Sequence, residues 1–302
     1  MNIQYISLGS FCHPKIFLRN TNREILKSLP FDFHSSPNTY SIYKILNKLY
    51  NQKTYKHEFK DILFEHNCNE NNKNELAVSD KEDIFFLHFF DMNDKLTKNN
   101  EYPISIENNL CEEKIIEVQN KFMKRYEHLY NILNNDKDLI VLLRIENYKN
   151  PSWKSDIKNL ADSLKQYNNK NLFLIYTQIE IDDDLDFHQN NKINYDHGFP
   201  ILYFKKFFDE KMTNDEIMNK DFSIVLKKFE NIVHICYLIS FKNTLHYYYY
   251  DRVNRVLFKL NDINIVYKVK NINKKKIEML YNDKIIVFFK NNLNIYECIS
   301  DY

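Results

Sequence analysis

Apolar strand-like runs alternating with amphipathic helical stretches predict an α/β fold. The expected architecture is a mostly parallel sheet flanked by helices in a three-layer arrangement, with a smaller C-terminal α+β extension. Three observations carry this. The runs at 84–90 (IFFLHFF), 139–144 (LIVLLR) and 172–177 (LFLIYT) are nearly continuous in apolar residues, as in strands covered on both faces. Helical patterns at about 110–134 and 153–167 separate them, the alternation that builds βαβ units. Finally, 302 residues with 44% hydrophobic and 15% aromatic side chains can bury a large core, which excludes disorder.

Taken in order, residues 3–8 read as the first strand, followed by a turn at Gly9 and a helix over about 12–19. A second helix is expected over 38–50, with Asn38 or Thr39 capping it after Pro37, and a short one over 56–64. The polar stretch 65–83 reads as a surface loop. Beyond the third apolar run, the turn at 197–200 leads into a short apolar segment. A helix over about 213–230 then precedes a strand at 232–238. The last stretch reads as a helix over 244–260 and short strands at 263–269, 284–289 and 293–298. The tyrosine tract at 247–250 is expected on one side of that helix. The organisation expected is a core domain over 1–240 and an extension over 241–302 packed on it.

Composition narrows the function classes. Lys and Arg number 42 against 41 Asp and Glu, a net charge of +1. No global field draws a polyanion, so nucleic acid is disfavoured as a partner despite the lysines of 268–276. The five cysteines (Cys12, Cys68, Cys111, Cys236, Cys298) are odd in number and widely spaced, which supports neither a disulfide framework nor a structural metal site. No apolar run reaches the roughly 18 residues of a spanning helix, and the first residues do not resemble a signal peptide. The expected compartment is the cytoplasm. The oligomeric state is not readable.

Open α/β sheets bind ligands beyond the carboxyl ends of their strands. Gly9, Ser10 and Cys12 follow the first strand. His88 lies late in the 84–90 run with Asp91 just beyond, and Arg144 ends the next run with Glu146 beyond it. A thiol at a helix start is stabilised as its anion. It needs an imidazole to take its proton and an acid to orient that imidazole. Cys12, His88 and either Asp32 or Asp91 supply those types, while a core role for Cys12 and His88 is the plain alternative. Asp32, in the Pro30-Phe31-Asp32-Phe33 stretch, either orients the histidine or caps a turn. Arg144 either clamps a substrate anion beside Gly9 and Ser10 or pairs internally. The phosphate-loop and GxSxG patterns are absent.

Together, Ser7-Leu8-Gly9-Ser10-Phe11-Cys12, Leu18-Arg19, Pro30-Phe31-Asp32-Phe33 and the later His88-Phe89-Phe90-Asp91 resemble the DUF1796 family, designated putative papain-like cysteine peptidases. Phe33 stands where that family usually has tryptophan, and the acid usual beside the histidine is displaced to Asp91. The resemblance covers roughly the first 180 residues. It implies a cysteine-dependent hydrolase acting on a peptide or other small acyl substrate, with no metal and no organic cofactor. Two other readings stay open: a transferase binding a nucleotide-sugar or other phosphate-bearing substrate, and a non-catalytic interaction protein.

Overall fold

The computed structural model describes residues 3–9, 13–21, 27–32, 34–35, 38–68, 73–97, 101–135, 138–146, 150–169, 172–178, 181–182, 185–186, 194, 196–205, 223–233, 236–241, 244–251, 256–259, 262–273, 275–281, 283–292 and 295–300. The first part runs β1 (Ile3–Ser7), α1 (His13–Asn20), β2 (His34–Ser35), α2 (Thr39–Gln52), β3 (Phe59–Cys68), β4 (Lys73–Asp80), β5 (Phe85–Asp91), β6 (Ile104–Ser105) and α3 (Glu112–Leu133). It continues with β7 (Leu139–Ile145), α4 (Trp153–Leu164), β8 (Leu172–Gln178), β9 (Ile201–Lys205) and α5 (Ser223–Val233). Seven strands follow: β10 (Cys236–Phe241), β11 (Thr244–Asp251), β12 (Val256–Lys259), β13 (Asp262–Ile272), β14 (Lys276–Tyr281), β15 (Lys284–Lys290) and β16 (Ile295–Ser300). No described helix is long and apolar enough to cross a membrane.

The α/β expectation is met by a four-stranded sheet in the order β1-β7-β8-β9, parallel throughout. Successive strand residues face opposite sides, and here both sides are core. Ile140, Leu142, Leu172, Leu174, Ile201 and Tyr203 join the cluster under α2, α3 and α4. Leu139, Val141, Leu143, Phe173, Ile175, Leu202 and Phe204 join Phe17 and Leu18 of α1 and Leu226 and Phe229 of α5. That two-sided burial is why these strands carry no polar alternation. The helices follow the complementary rule. In α3, Val118, Phe122, Tyr126, Leu129 and Leu133 are buried, three or four residues apart and so on one face. In α2, Ile42, Ile45, Leu46 and Leu49 do the same.

Two parts differ from the sequence expectation. Between α1 and α3 the chain builds a five-stranded antiparallel sheet, β2-β5-β4-β3-β6. The expected helix at 56–64 and most of the expected loop at 65–83 are its β3–β4 hairpin. The 84–90 run belongs to this sheet and not to the parallel one. The second difference is at the end of the chain. The stretch expected as a helix over 244–260 forms β11 and β12 of a closed barrel, β10 to β16. Consecutive barrel strands are antiparallel, so a seventh strand returns parallel to the first, and β16 closes on β10. The barrel is filled by Ile239, Tyr248, Tyr250, Leu257, Tyr267, Val269, Ile277, Met279, Ile286, Phe288 and Tyr296. Tyr248 and Tyr250 of the tyrosine tract thus face inward at strand period rather than along a helix.

Candidate active site

The carboxyl end of β1 is a tight, buried turn. Leu8 N–H donates to the Leu143 carbonyl at 2.7 Å, which extends the β1–β7 ladder by one residue. Gly9 then takes φ 89°, a left-handed conformation that glycine adopts without the Cβ penalty. Its N–H donates to Ser7 Oγ at 3.1 Å. Ser10 and Cys12 lie outside the described residues, and α1 opens at His13, directly after Cys12 in sequence.

Arg144 holds this turn from below. Its side chain is fully buried. Nη1 donates to the Leu8 carbonyl at 3.3 Å, Nε to Thr39 Oγ1 at 3.1 Å, and Nη2 reaches Glu146 Oε1 at 3.5 Å. Glu146 Oε1 in turn accepts from Thr39 N–H at 2.6 Å and Thr39 Oγ1 at 2.5 Å, and Oε2 from the Tyr176 hydroxyl at 2.7 Å. Burial pulls the Arg144 guanidinium pKa down, opposed by the adjacent Glu146 carboxylate. Burial and the same carboxylate push the Tyr176 phenol up. The carboxylate sits on the first N–H of α2, where a helix start favours negative charge. Asn38 completes that start by accepting from Ser41 N–H at 2.9 Å, so of the two capping candidates it is Asn38 that caps. The internal pairing expected as one reading of Arg144 is present, with Glu146 as its acid.

Asp32 is also buried. Its Oδ2 accepts from Leu29 N–H at 2.7 Å and pairs with Lys15 Nζ of α1 at 3.1 Å. Burial raises its pKa, opposed first by the Leu29 N–H and then by Lys15. The neighbouring Phe31 packs edge-on against Tyr126 of α3 at 5.7 Å.

His88 lies in an irregular stretch of β5. Val78 pairs with Phe86 and Leu76 with Phe90, so 87–89 bulge opposite Ala77, and a bulge re-aims side chains. The His88 side chain is 38% exposed, and its Nδ1 lies 2.7 Å from Glu75 Oε2. Asp91, the acid expected beside it, instead caps a short 3-10 turn, accepting from Asn93 N–H at 2.8 Å. Glu75 was missed because its strand reads as part of a polar loop. The apolar trio 76–78 was the available signal. A second carboxylate-paired histidine among the described residues, His57, is buried between Asp80 Oδ2 at 2.5 Å and the Tyr126 hydroxyl at 3.0 Å, so it links the end of β4 to α3.

A chain of contacts links these parts. Lys15 of α1 meets Asp32, the Asp32 turn leads into β2, and β2 pairs with β5, His34 opposite Phe86. The helix that follows Cys12 is thus tied to the acidic turn by an ion pair, and the strand that follows that turn pairs with the strand carrying His88.

No curated protein and no solved structure matches the sequence. A family model described as "Putative papain-like cysteine peptidase (DUF1796)" matches residues 3–181, from the start of β1 to just beyond β8. That span is more than half of the sequence and contains the Gly9 turn, Asp32, His88 and Arg144, and the chain belongs to the DUF1796 family.

Proposed function

We propose that the chain is a cysteine-dependent hydrolase acting on a peptide or another acyl compound, with Cys12 as nucleophile and His88 as its base. The observation that carries this reading is the left-handed Gly9 turn, which leads from a buried strand to a helix beginning directly after Cys12. A thiol at such a position gains from the positive end of the helix and from N–H groups without intrahelical partners. The family's description points to the same class of chemistry.

In the reaction, His88 takes the Cys12 proton and the thiolate attacks the acyl carbonyl carbon. The C–S bond forms and the oxygen becomes an oxyanion, for which backbone N–H groups after Gly9 are the donors. Collapse expels the amine or alcohol, which leaves with the proton from His88. Water, deprotonated by the same imidazole, then cleaves the thioester and restores the thiol. Glu75 is the positioning residue for His88, through the bond at Nδ1. Asp32 and Arg144 act on geometry. Asp32 fixes α1 through Lys15, and Arg144 fixes the Leu8 carbonyl just before the turn.

An electrophilic acyl probe should label the wild type at Cys12 and leave Cys12→Ala unlabelled, as read by intact mass. His88→Ala should slow labelling by about 10²-fold or more, the usual contribution of a general base. Equal labelling of wild type and Cys12→Ala removes the proposal.

A further inference from the structure

The face of α3 beside the Asp32 turn carries Lys121, Arg125 and His128, spaced by four and three residues and so aligned along one side of the helix. None of the three has a hydrogen bond or an ion pair with the described residues. Arg125 Nη1 is buried without a hydrogen-bond partner, a condition native proteins rarely leave unexplained. Its guanidinium rests on the faces of Phe122 at 4.9 Å and Phe89 at 5.9 Å, and the Lys121 ammonium lies 5.2 Å from the same Phe89 ring. Burial, the first cause in each case, pulls all three pKa values down. Arg125 adds to this at Lys121, and Lys27 adds to it at His128. Two acids reach the stripe. Glu117 hydrogen-bonds Lys114, and Asp32 pairs with Lys15. Among the described residues, no carboxylate pairs directly with Lys121 or Arg125, and Asp32 and Glu117 act on them only at longer range.

We infer that this face of α3 recognises an acidic peptide segment, with Arg125 as the specificity-determining residue and Lys121 as its neighbour in the same contact. Arg125 lies close enough to Asp32 for the carboxylate to act on its charge, and Phe89 follows His88 in β5, so the surface adjoins the site proposed above. The assignment rests on that reading for the peptide being a substrate. A guanidinium presents a planar fork that matches a carboxylate. The spacing also fits, because Lys121 and Arg125 are separated by about 6 Å of helix rise, and side chains on one side of an extended peptide recur about 7 Å apart. Glutamates at alternate positions would meet the two cations together.

The test uses the full chain with Cys12→Ala, so that bound peptide is not consumed. Fluorescent decapeptide pools, with glutamate or glutamine fixed at alternate positions and random residues elsewhere, are titrated by anisotropy. The glutamate pool should bind about tenfold tighter, an advantage that corresponds to one good charge-assisted contact. Arg125→Gln should remove most of that preference, and the exposed Lys121→Gln should reduce it if the arginine variant does not fold. Equal binding of the two pools overturns the inference, as does a preference untouched by either variant. Micromolar affinity for inorganic phosphate without glutamate preference also overturns it, by assigning the cations to a phosphate group. A retained glutamate preference alongside absent labelling of Cys12 in the wild type would keep the peptide surface and remove the hydrolase.

Discussion

A guanidinium sealed in a protein interior is costly unless its donors are used, and Arg144 meets that condition by serving three segments at once. It bonds the Leu8 carbonyl of the β1 end, the Thr39 hydroxyl of α2 and the carboxylate of Glu146. Arg144→Met should cost about 3–5 kcal/mol in urea unfolding, since it leaves the Glu146 charge buried and uncompensated. Arg144→Met with Glu146→Leu should cost less than the two single losses added together, which a double-mutant cycle would read directly. The basic residue at the end of the 139–144 run was visible in sequence, but its partner was not. The network around Glu146 depends on α2 closing over the strand end from more than 90 residues upstream. His88 shows the same limit. Its residue type suggested a base, while Glu75, the carboxylate at its Nδ1, was not among the acids read from sequence, because the bulge in β5 and the β4 register bring the two together.

Among the elements, the β4–β5 connection is closed by backbone bonds from Asp80 N–H to the Ile84 carbonyl at 3.0 Å and from Asp83 N–H to the Asp80 carbonyl at 3.1 Å, and the Asp80 carboxylate adds to them. Asp80 Oδ1 accepts from the N–H groups of Glu82 and Ile84, both at 2.9 Å, while Oδ2 holds His57. Asp83 in that turn has φ 58°, a left-handed conformation that Asp adopts more readily than most residues. Asp80→Ala should lower stability by about 3–5 kcal/mol, as several buried partners lose their acceptor. Asp80→Asn should recover part of the loss, and thermal unfolding of the two variants would rank them. Elements read correctly from sequence include β1, α1 and β15, and most clearly those with a single periodicity, the two-sided strands β7 and β8 and the helices α2, α3 and α4. Those misread mix signals. In β3, register shifts between 59 and 61 and between 62 and 64 break the period of two. In β11, four consecutive tyrosines place similar residues on both faces, so the inward pair Tyr248 and Tyr250 does not stand out.

Across the whole molecule, the described barrel core forms a cluster of its own beside the two that sandwich the parallel sheet, with α5 in contact with β11. Residues 236–241 already pair within the barrel, with β11 on one side and β16 on the other. We therefore expect a fragment stopped at 233 to fold and stay monomeric. One stopped at 240 retains a strand whose two barrel partners are gone, an exposed edge that promotes association. Size-exclusion chromatography of the two fragments checks this, and identical monomeric profiles would remove the argument. The family match ends at 181, before β9 and α5, although both complete the parallel-sheet body. The parallel closure of the barrel also sets its polarity. Because β10 and β16 run in the same direction side by side, the start of β10 and the end of β16 lie at opposite poles. Probes attached at residues 236 and 300 would therefore report on opposite rims of the barrel.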